Sequence, residues 1–69
     1  MTMIDDVLRF VPVGEANAET SRQIWKRYGV WAESSVGAVL RRLVDEGVIK
    51  RASRPIPTGV AYVFWREAP

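Results

Sequence analysis

The chain has 69 residues, no Cys, no His and a formal net charge of +2. Chains this short bury only about 60% of their unfolded surface. The missing residue types exclude disulfides, thiolate metal sites and histidine-based acid–base chemistry, so an apolar core, extended at most by a dimer interface, has to hold the fold.

The apolar fraction of 48% supports such a core and argues against disorder. The longest apolar runs are only a few residues, far short of a membrane span. Asp5 and Asp6 stand where a secretory signal would carry basic residues. A cytoplasmic protein without a membrane segment is the expectation. Charge is unevenly spread: residues 1–19 sum to −3 and residues 20–66 to +6. A basic section beside an acidic one suits a polyanion on one face, and equally an ordinary solvated surface.

In chain order, Ile4, Val7, Leu8 and Val11 recur at helical spacing and predict a first helix over 2–11. Asp5 and Asp6 suit the positive end of its dipole, and Pro12 ends it. Residues 12–19 read as a loop, with a very short strand near 16–19 that can pair with a later hairpin. Thr20 and Gln23 fit a capping box opening a second helix over 21–28. Ile24 and Tyr28 share its inner face, Arg22 and Lys26 its outer face, and Gly29 stops it. After a turn over 29–32, Val36, Val39, Leu40 and Leu43 define the buried stripe of a third helix over 33–46. Ser34, Ala38, Arg41 and Asp45 then point away from that stripe, with Ser35, Gly37 and Arg42 on its shoulders. Gly47 ends the helix. Residues 48–54 and 60–66 read as strands around a five-residue tip, 55–59, whose two prolines cannot continue a central strand. In the last strand, Tyr62 and Phe64 compete with Ala61, Val63 and Trp65 for the inward face. Trp31 is expected to plug the core from the turn, and Trp25 and Trp65 to lie in the core or at a dimer interface.

The order is helix, loop, helix, tight turn, helix, hairpin, which makes the fold class α+β. The segment TSRQIWKRYGVWAESSVGAVLRRLVDEGVIKR resembles the winged helix-turn-helix superfamily of DNA-binding domains. The resemblance is carried by Thr20-Ser21, Ile24, Gly29, Val36, Leu40, Leu43, Gly47 and Ile49, and the tail SRPIPTGVAYVFWRE looks like the wing and its return strand. About two-thirds of the chain is covered, within one domain over 1–69.

The resemblance implies a small transcriptional regulator that binds duplex DNA, with no cofactor. Its third helix would enter the major groove, its second would cross the backbone, and its wing would follow the backbone or minor groove. Ser34, Ser35, Ala38 and Arg41 are then the groove-facing set, with Arg41 placed to bond a guanine edge. Arg42 is divided between DNA and an ion pair with Glu46. Arg22, Lys26 and Arg27 are candidate phosphate contacts on the second helix. Lys50, Arg51 and Arg54, with Ser53 and Thr58, are candidates on the wing, where charges and prolines also protect a sheet edge. Z-DNA-binding domains share the layout, but the Asn and Tyr of their third helix would fall at Gly37 and Arg41, so that specialisation does not carry over.

Catalysis has little to stand on, because the acidic residues are scattered and Ser34-Ser35 has no candidate general base. The competing expectation is a winged helix that binds protein and not DNA, a phage-type inhibitor or adaptor. Asp45 and the small residues on the third helix favour it. A homodimer built on the first helix and the last strand, with Phe10 and Trp65 at the contact, is expected for a module with so little area.

Overall fold

The computed structural model describes residues 3–67. Residue 2, the expected start of the first helix, lies outside them. The fold is α+β, three helices packed with a three-stranded antiparallel sheet whose hairpin comes last in chain order, in a winged-helix-like layout. Helix α1 spans Met3–Phe10, strand β1 Glu19–Thr20, helix α2 Ser21–Tyr28, helix α3 Glu33–Asp45, strand β2 Lys50–Ile56 and strand β3 Gly59–Trp65.

One apolar cluster joins the helices to the sheet. Val7 and Val11 enter it from α1 and its exit, Ile24 from α2, and Val36, Leu40 and Leu43 from α3. Ile49 and Phe64 close it from the hairpin. The spacing expected for α1 and α3 is therefore what the core uses.

The second helix is held at both ends as its sequence requires. Thr20 Oγ1 accepts from the Gln23 N–H at 3.2 Å, and Gln23 Oε1 accepts from the Thr20 N–H at 2.9 Å. This reciprocal pair satisfies two backbone donors that the first turn leaves open. Gly29 adopts φ +69° and donates to the Trp25 carbonyl at 2.8 Å. Only a residue without Cβ takes that left-handed geometry at little cost.

The sheet order is β1-β3-β2, so β3 is central. Its register pairs Glu19 with Phe64 on one side and Arg51 with Phe64 on the other. The expected short strand exists but begins at Glu19, because residues 15–17 form a 3₁₀ turn. The hairpin differs from expectation in length. Pro55 and Ile56 continue β2, paired with Val60 and Gly59, which leaves a two-residue tip of Pro57 and Thr58. Proline is excluded from central strands because it removes a ladder donor, and β2 is an edge strand, where this restriction is relaxed.

The inward face of β3 has two answers. Phe64 packs into the helical core, while Val63 and Trp65, on the other face, form a second cluster with Ala18 and Ala52. The 11–18 segment is tied to the end of β3 there. Arg66 Nε donates to the Val11 carbonyl at 3.0 Å, the Arg66 N–H to Pro12 at 2.7 Å, and the Gly14 N–H to Arg66 at 2.8 Å. Trp65 is thus covered within its own chain, which is the core alternative of the two expected for it and not the interface one. Phe10 is half-buried against Tyr28, with ring centroids 5.1 Å apart.

The turn tryptophan also departs from expectation. Trp31 is 47% exposed and does not plug the core. Its indole N–H donates to the Tyr28 hydroxyl, and its carbonyl accepts from Trp25 Nε1 at 2.6 Å. Polar ends of three aromatic side chains shape this turn, where apolar insertion was expected.

Two substitutions probe this arrangement. Phe64→Ala removes the side chain that locks the hairpin to the helices and should cost about 3–5 kcal/mol, enough to unfold a chain of this size. Thr20→Ala should cost about 1 kcal/mol through the lost cap. Urea unfolding followed by circular dichroism measures both.

Candidate nucleic-acid interface

The outer face of α3 is as the spacing predicted. Ser34, Ala38, Arg41 and Asp45 are exposed, Ser35 and Gly37 are half-buried, and Arg42 is exposed on its shoulder. The structure adds what lies beside this face. A groove of about 440 Å³ runs between α3 and the hairpin. Arg22 from α2, Arg41 from α3 and Arg51 from β2 all line it. A second groove, about 590 Å³, runs along α3 itself past Glu33, Ser34, Gly37, Ala38 and Arg41, with Ser21 at its edge. Arg41, Gly37 and Ser21 border both.

The wing cations do not act as one set. Paired residues of an antiparallel ladder project to the same side of a sheet. Arg51 pairs with Phe64 and belongs to the helix-facing side, whereas Lys50 pairs with Trp65 and Arg54 with Ala61, placing them on the other side. The Arg51 guanidinium lies 4.4 Å from the centroid of the Tyr62 ring, which holds it at the groove while the ring remains 54% exposed. Thr58 is exposed at the tip, and Lys26 is exposed on α2 outside either groove lining.

Other cations hold the fold together. Arg27, expected on phosphate, donates to the Phe10 carbonyl and to the Glu19 carboxylate at 2.5 Å, joining α1, β1 and α2. Arg42 pairs with Glu46 at 3.6 Å, the helical pair weighed against DNA from the sequence. Arg22, Lys26, Arg41, Lys50, Arg51 and Arg54 make no ion pair among the described residues.

Sequence reasoning missed Ser21, Tyr62 and Glu33 as groove residues. Ser21 sits beside the cap Thr20, and the cap itself was the available signal. Tyr62 was undecided because both faces of β3 carry large side chains.

Comparison with family models, with curated proteins and with solved structures gave no match. The functional reading therefore rests on the arrangement of these side chains.

Gly37 is unusual within that arrangement. It lies in the middle of α3, its φ is not positive, and a Cβ built there meets nothing within 4 Å. Neither backbone geometry nor packing inside the chain requires glycine, which costs roughly 0.5–1 kcal/mol in a helix interior relative to alanine. Gly37→Ala should therefore raise stability by about that amount in thermal or urea unfolding. A loss of stability would mean that an internal contact requires the glycine.

Proposed function

We propose that the chain binds duplex DNA as a small winged-helix regulator, with α3 in the major groove and the hairpin along the backbone or minor groove. The observation that supports this reading most directly is the convergence of Arg22, Arg41 and Arg51, from three elements, on the groove beside α3. None of the three is spent on an ion pair among the described residues. Three arginines lining one concavity favour a phosphate-bearing partner, because a guanidinium forms charge-assisted, fork-shaped bonds with phosphate oxygens.

The small side chains of α3 suit a helix pressed against base edges. Ser34, Gly37 and Ala38 let its backbone approach closely, and the major groove admits a helix. Arg41 lies next to them, within reach of guanine or phosphate. Ser35, half-buried, is left a minor role near the helix start, and Arg42, paired with Glu46, serves at the periphery. Lys26 on α2, Thr58 at the tip, and Lys50 and Arg54 on the other side of the sheet lie outside both groove linings and supply only peripheral, sequence-independent contacts. Affinity then comes mainly from backbone contacts, and base reading is thin.

A second reading, a protein-binding winged helix, is favoured by the exposed apolar wing residues Ile56 and Val60 and by Asp45 on the outer face of α3. Such a domain gains nothing from phosphate.

Duplex titration across a salt series separates the two. The DNA reading expects log K to fall linearly with log salt, and Arg22→Ala and Arg51→Ala each to reduce the slope by about 0.9. Absence of binding at low salt sinks it. Arg41→Ala should weaken a preferred site more than random duplex, whereas Arg54→Ala should weaken both alike. Equal losses would place Arg41 on phosphate alone.

A further inference from the structure

Glu33 is a carboxylate at the rim of the face that the DNA reading presses against a polyanion. It is exposed, it lines the groove along α3, and it has no ion-pair partner among the described residues. Its place in the first turn favours the helix dipole, but that contribution does not require the side chain to share a groove with Ser34, Ala38 and Arg41. Glu33, Gly37 and Arg41 also form one i, i+4, i+8 row. The middle member has no side chain. A cation at position 37 would pair with Glu33 and cover it; glycine leaves the carboxylate and the guanidinium both open, at the two ends of a bare stretch of helix.

We propose that Glu33 is a base-reading residue that selects cytosine, acting together with Arg41 on guanine; the proposal rests on the DNA reading above. In the major groove cytosine presents only a donor, its N4 amino group, and a carboxylate is an acceptor-only side chain that matches it. Guanine presents O6 and N7, two acceptors that match the Arg41 fork. Against adenine, a carboxylate accepts one bond and is repelled by N7; against thymine or guanine it meets only acceptors. Beside phosphate it is repelled outright. The carboxylate therefore weakens binding to every sequence except those that place a cytosine beneath it, which is how a helix poor in basic residues can still discriminate. Eight residues of helix advance about 12 Å, and base pairs are spaced about 3.4 Å apart. The two readings should fall three to four base pairs apart, with the helix seated against base edges at Gly37 between them.

The test is selection of bound duplexes from a random pool by wild type, Glu33→Gln and Glu33→Ala, with unfolding curves for all three. Glu33→Gln is close to isosteric at an exposed position and should leave the fold intact. The wild-type pool should carry C and G at the stated spacing. Glu33→Gln should keep the G and exchange C for A, because an amide pairs bidentately with adenine N6 and N7, with roughly a ten-fold reversal of preference in direct titration. Glu33→Ala should keep the G, lose preference at the C position and bind random duplex more tightly. An unchanged consensus in both variants overturns the proposal while leaving DNA binding in place. A wild-type pool without enrichment at low salt overturns the DNA reading and this proposal together.

Discussion

The central position of β3 is the constraint on which the rest of the molecule depends. It pairs with β1 on one side and β2 on the other, and both of its faces are buried at its C-terminal end. Phe64 reaches the helical core, and Val63 and Trp65 lie under the segment that follows α1. A two-stranded hairpin in water is marginal by itself. Here its base is clamped between two apolar clusters while its tip, from Arg54 to Val60, stays exposed. The hairpin is therefore held at a set distance from α3, and the groove between them exists because of that clamp.

The same economy governs charge. Arg27 and Arg66 each donate to main-chain carbonyls at the end of α1 or just beyond it, Phe10 for the first and Val11 for the second. Buried or half-buried carbonyls at helix ends need such donors. The Arg27–Glu19 pair is partly exposed, so its Coulomb term adds at most about 1 kcal/mol; its larger effect is to tie three elements to one side chain. Of the cations without an ion pair among the described residues, Lys26, Lys50 and Arg54 lie outside the groove beside α3, while Arg22, Arg41 and Arg51 line it.

That surface is built from omission as much as from charge. Gly37 forgoes helix propensity without any packing reason, and its neighbours Ser34 and Ala38 are small. Local sequence that disagrees with local stability is a mark of a site whose requirement lies outside the chain. Glu33 and Arg41 stand at the two ends of this stretch of small residues, and the proposed base reading rests on that placement.

Much of this was legible from residues alone. The three helices, the capping box at Thr20, the glycine stop at Gly29, the buried stripe of α3 and its exposed face all follow from local rules: side chains three and four apart share a helix face, and caps satisfy specific backbone donors. The hairpin was legible as a hairpin. Its length was not, because whether Pro55 can stay in a strand depends on that strand lying at an edge, and edge or centre is a property of the assembled sheet. The faces of β3 were undecidable for the same reason, since both are covered, by different parts of the chain. Trp31 exposed in its turn, Arg27 consumed by Glu19, and the division of Arg51 from Lys50 and Arg54 were decided by contacts between residues distant in sequence. The residues by themselves determined the elements and the cations available; only tertiary packing decided which cations hold the fold and which three face one groove, because that depends on where each element's far side comes to rest.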